Sequence, residues 1–120
     1  MHLVATALVV AVAALHVYFL VLEMFLWTGP VGRRTFRMTA DFAESTKTLA
    51  ANQGLYNGFL AGGLVWALIA YGIPAGRPII TFFLGCIVIA GVFGAATVSR
   101  RILLVQALPA LLAGGFLWLA

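Results

Sequence analysis

Apolar residues run almost unbroken over four stretches, at residues 3–27, 49–71, 79–98 and 102–120, and short polar or Gly/Pro breaks separate them. Each run is close to the roughly 20 residues a helix needs to cross a bilayer. Thr28, Gly29 and Pro30 close the first run, Gly72, Ile73 and Pro74 follow the second, and Arg100 and Arg101 precede the fourth. Between the first two lies a polar stretch holding Arg33, Arg34, Arg37, Asp41, Glu44 and Lys47, in which Phe36, Ala40 and Ala43 recur at helical spacing. That recurrence predicts a short amphipathic helix on the membrane surface. The pattern as a whole predicts an all-α fold in one integral membrane domain: a four-transmembrane-helix bundle with a short amphipathic interfacial helix between helices 1 and 2. The first run lacks a basic leader and is too long for the apolar part of a signal peptide, so it reads as a retained span.

Composition points the same way. Of 120 residues, 64% are hydrophobic and 8% charged, with a mean hydropathy of +1.14. A soluble domain carries about a quarter of its residues charged, so this outer surface is expected to face lipid. The net charge of +4 is confined to the breaks, which argues against a nucleic-acid partner. Cys86 stands alone in an apolar run; it excludes an internal disulfide and any CxxC motif, and reads as a packing residue. The basic residues also orient the chain. Arg33, Arg34, Arg37 and Lys47 lie in the first break and Arg100 and Arg101 in the third, against Arg77 alone in the second. Basic loops stay in the cytoplasm, which puts both termini outside the inner (plasma) membrane.

Polar groups inside a span are costly and therefore informative. Helix 1 carries His16 and Glu23, helix 2 carries Asn52, Gln53, Tyr56 and Asn57, and helix 4 carries Gln106. At 1.5 Å per residue, Glu23 lies roughly 6 Å from the inner end of helix 1 and Gln106 roughly 8 Å above Arg101. On this topology the polar groups share one half of the bilayer, which predicts a common cavity open toward the cytoplasm. His16 and Glu23, seven residues apart, return to one helix face within about 20°. Gly54, Gly58 and Gly62 form a small-residue ridge that invites a close helix neighbour, and Gly91 with Ala95 offers a second. Pro109 removes the hydrogen bond to the Val105 carbonyl and is expected to bend helix 4 near Gln106.

The stretch from Asn52 through Gln53, Gly54, Tyr56, Asn57 and Gly58 to Ala61 resembles the signature of the domain of unknown function family 1304. So do Leu15-His16, the run from Leu22 and Glu23 to Trp27, the helix 3 run from Ala90 to Thr97, and Val105-Gln106 ahead of Pro109. The resemblance covers nearly the whole chain. It implies a small four-span membrane protein of the bacterial type without an established biochemical role; some members carry the label epimerase.

Each polar group has a plain structural reading beside the functional one. His16, the helix 2 amides, Tyr56 and Gln106 can serve as interhelical hydrogen-bond partners, and Glu23 can pair with Arg33 or Arg34 at the interface. A shared metal is disfavoured, because His16 and Glu23 stand about 10 Å apart along the axis and ligands must lie about 2 Å from an ion. His2, on the outer side, does not complete a haem site, and no cofactor is expected. Three functions remain. In the first, His16 and Glu23 exchange protons with a lipophilic small molecule held by Asn52, Gln53, Tyr56, Asn57 and Gln106, an isomerase or epimerase chemistry. In the second, Glu23 couples proton movement to small-molecule transport. In the third, the chain is a noncatalytic subunit of a membrane complex. The bilayer is the expected partner, and a homo-oligomer is open.

Overall fold

A computed structural model describes the whole chain, Met1–Ala120. It is all-helical, without strands: α1 (His2–Met24), α2 (Pro30–Phe36), α3 (Ala40–Ala70), α4 (Arg77–Thr97), a π-helical segment (Leu103–Ala107) and α5 (Leu108–Leu119). Two helices, α1 and α4, are each long and apolar enough to cross a membrane. Asp41, Glu44 and Lys47 load the first turns of α3 with charge, and the polar set from Asn52 to Asn57 dilutes its apolar part. The final apolar helix, Leu103–Leu119, is shorter.

Local chemistry sets the helix ends. Pro30 opens α2, where its missing N–H would have had no partner in any case. Arg37 closes α2 in the left-handed region, at φ 55° and ψ 51°, and the Met38 N–H bonds back to the Arg33 carbonyl. Thr39 then starts α3, its Oγ1 accepting from the Phe42 N–H at 3.2 Å. Gly72, at φ 70°, ends α3, its N–H reaching the Ala67 carbonyl.

The expected interfacial helix is corrected in its extent. The separate short helix is Pro30–Phe36, and Ala40 and Ala43 belong to α3, one rod of 31 residues. Hydropathy marks where a helix can enter lipid, whereas the helix itself starts at its cap. Between Thr39 and Leu49 nothing breaks the backbone ladder, so the rod continues through the polar stretch. Where a bend in helix 4 is expected, the chain adopts the π segment. There the Leu108 N–H bonds five residues back to the Leu103 carbonyl, which makes room for a proline ring that clashes with a regular turn.

The chain falls into two compact units. One comprises Met1–Ala13 with Gly62–Ala120, the other Ala14–Ala61. In the first, α4 packs on the π segment and α5. Ile80, Leu84, Ile87 and Gly91 form the buried stripe of α4, and Ala107, Ala110, Ala113 and Leu117 that of the last helix. Gly91 is needed at this crossing: a Cβ there would come within 2.7 Å of the Ala107 backbone nitrogen. At one end of this unit the Arg77 Nε donates to the Leu117 carbonyl at 3.1 Å, and the Trp118 Nε1 donates to Thr81 Oγ1 at 2.8 Å.

In the second unit, the end of α1 packs on the first half of α3. A Cβ on Gly54 would lie 2.7 Å from Met24 Cγ, 3.1 Å from Glu23 Cβ and 3.2 Å from the Leu20 carbonyl oxygen; on Gly58 it would meet Leu20 Cδ1 at 2.7 Å. The expected glycine ridge therefore operates at Gly54 and Gly58. Gly62 is corrected: its Cβ position has open space, and it belongs to the other unit.

Candidate functional site

Glu23 sits one residue before the end of α1, at 3% exposure. The close approach allowed by Gly54 brings two amides of α3 onto its carboxylate. Gln53 Nε2 donates to Oε2 at 2.7 Å, and Asn57 Nδ2 donates to Oε1 at 2.5 Å. Gln53 and Asn57 are four residues apart, one helical turn, so they straddle the carboxylate along the α3 axis. The acid is thus held by side-chain amides of α3, and neither Arg33 nor Arg34 pairs with it. Each carboxylate oxygen retains acceptor capacity after receiving one donor.

A cavity of about 330 Å³ lies beside this group, lined by Glu23, Met24, Phe25, Trp27, Thr28, Lys47, Thr48 and Ala51. Its wall is fixed by Trp27, whose Nε1 donates to Thr46 Oγ1 at 3.0 Å and whose ring lies 4.8 Å from that of Phe36. Gly32 lets α2 close under this turn; a Cβ there would lie 2.0 Å from the Leu26 carbonyl oxygen. Lys47, on the rim, pairs with Glu44 on its own helix at 2.5 Å.

The predicted site residues separate into groups. Glu23, Gln53 and Asn57 come together in the second unit. His16 is fully buried in the same unit, its ring edge-on to Phe19 with centroids 5.3 Å apart, and it does not line the cavity. Asn52 and Tyr56 lie on the exposed side of α3, Tyr56 against Phe59. Gln106 lies half-buried on the π segment of the first unit. No cluster of three or more His, Cys, Asp or Glu side chains could hold a metal ion.

Lys47, Thr28 and Thr48 line the cavity although charge placement alone assigned Lys47 to topology. A signal was present. Buried positions on α3 fall at Ala43, Ala50, Gly54, Asn57, Ala61, Leu64 and Ala67, a stripe of three- and four-residue steps broken only between Ala43 and Ala50, where the register passes through Lys47. It is visible only once the helix is known to begin at residue 40.

Residues 10–118 match the sequence pattern of a family described as "Protein of unknown function (DUF1304)". The chain is also 33% identical over 98 residues to an uncharacterized protein, YpaA, of Lactococcus lactis subsp. lactis (strain IL1403), covering 80% of this chain and 81% of that protein. No solved structure matches.

Proposed function

Given that the chain belongs to the DUF1304 family, we propose that it is a multi-pass membrane protein whose Glu23 exchanges a proton with a small amphiphilic molecule bound at the cytoplasmic side. In this reading α1, the apolar part of α3, α4 and the final helix are four spans of one bundle, with both termini outside. Support comes from the apolar length of α1 and α4, from the many large apolar side chains left exposed along the helices, and from the basic bias of the loops that would lie inside.

The observation that carries the site is an almost wholly buried acid, Glu23, whose carboxylate is held by two amide donors and which contributes to the lining of a cavity. An intramembrane acid is expensive to keep unless it is used. The chemistry that fits best is acid–base isomerisation: Glu23 takes a proton from one position of the substrate and returns it to another, with no net gain or loss of atoms. Because His16 is off the cavity, the one-carboxylate form of this chemistry is favoured over one in which His16 and Glu23 flank the substrate. Gln53 and Asn57 then act as positioning residues for Glu23.

The test compares the lipids and terpenoids of a strain lacking the protein with those of strains restored by the native chain or by Glu23→Gln. The native chain is expected to reverse a specific lipid change that Glu23→Gln, at equal protein level, does not. An unchanged lipid profile in the deletion strain sinks the isomerase reading. Proton-coupled transport is the second reading, favoured by a buried acid in the lining of a cavity. Substrate-dependent proton flux in liposomes, lost in Glu23→Gln, would select it.

A further inference from the structure

We infer that the cavity beside Glu23 takes a zwitterionic amphiphile, its ammonium toward Glu23, its anionic group toward Lys47, and its hydrocarbon chain leaving past Met24 and Phe25; this rests on reading Glu23 as a small-molecule site. An acid from α1 and a base from α3 line the same cavity and make no ion pair with each other: Glu23 is held by Gln53 and Asn57, and Lys47 is paired with Glu44. A ligand carrying only a positive charge would meet the Lys47 ammonium, and one carrying only a negative charge would meet the Glu23 carboxylate. A ligand with both charges satisfies both walls at once, which is how opposed charges set specificity.

The remaining lining fits the same ligand. Thr28 and Thr48, whose hydroxyls can both donate and accept, also line the cavity. The Lys47–Glu44 pair is exposed, with side chains 55% and 64% accessible. Exposed pairs of this kind contribute little, so Lys47 can turn from Glu44 to a ligand anion at small cost. Phe25 is 72% exposed at the edge of the cavity, an apolar exit suited to a chain rather than to a soluble headgroup.

The test uses the full chain purified in nonionic detergent and four probes: dodecyl phosphoethanolamine, dodecylamine, dodecyl phosphate, and phosphoethanolamine without a chain. Binding is read by equilibrium dialysis. Dodecyl phosphoethanolamine is expected to bind about tenfold more tightly than each of the other three. Lys47→Met should reduce it to the level of dodecylamine, and Glu23→Gln to that of dodecyl phosphate. Glu44→Gln, which releases Lys47, should tighten it by about two- to fivefold. Lys47 and Glu44 are exposed, so these two variants report even where Glu23→Gln does not fold. Dodecylamine binding as tightly as the zwitterion, with Lys47→Met silent, overturns this inference and leaves the Glu23 site standing. Equal binding of phosphoethanolamine with and without its chain overturns the amphiphile. Binding of every probe independent of Glu23 overturns both the inference and the proposed site.

Discussion

Asn57 and Glu23 are 34 residues apart in sequence, and the Asn57 amide donates to a Glu23 carboxylate oxygen at 2.5 Å, both side chains being buried. Gln53 makes the matching bond from a more exposed position. Removing a donor from a buried charged group leaves that group short of a partner, whereas water can replace an exposed donor. Asn57→Ala is therefore expected to lower stability by about 1–3 kcal/mol, and Gln53→Ala by clearly less. Thermal unfolding in nonionic detergent checks the order; equal losses would show that burial does not set the value of these bonds.

The glycines of α3 give a second contrast. Gly54 faces Met24, Glu23 and Leu20, while Gly62 faces open space. Gly54→Val is expected to push α1 and α3 apart locally and cost about 1–3 kcal/mol, as overpacking does. Gly62→Ala is expected to be neutral or stabilising by up to about 1 kcal/mol, since alanine is the better helix former. Both are read by the same melting experiment, and a damaging Gly62→Ala would contradict the open space beside it.

A third expectation concerns the crossing of α4 with the π segment. Gly91→Val would drive a side chain into the Ala107 backbone, which has no rotamer with which to give way. A loss of about 2 kcal/mol or more is expected, against none for Gly85→Ala, whose Cβ position has no neighbour within 4 Å. Comparable melting temperatures for the two variants would mean that α4 does not approach the π segment this closely.

The proposed topology is checked by labelling. Ser45 and Ala75 are both exposed and lie in breaks assigned to opposite sides of the membrane. In a Cys86→Ala background, Ser45→Cys is expected to react with an impermeant maleimide only from the cytoplasmic side, and Ala75→Cys only from the outside. Labelling of both from one side would remove the four-span arrangement.

The sequence by itself determined the helices and most of their ends, because backbone hydrogen bonding and capping are local: Pro30, Gly72 and Pro109 act on their own neighbours wherever the rest of the chain lies. It also marked Glu23, Gln53 and Asn57 as costly and therefore meaningful, since burial of a polar group can be read from the apolar run around it. Tertiary structure decided which partner each group finds. Glu23 could have met Arg33 or Arg34 by proximity along the chain; packing at Gly54 gave it Gln53 and Asn57 instead. Gly62 repeats the spacing of Gly54 and Gly58 yet meets nothing, and Lys47 joins a cavity because α3 starts a full two turns earlier than hydropathy indicates. Residue type and spacing fix what a side chain is able to do, but the group it faces depends on the position of a second helix, and no local rule supplies that position.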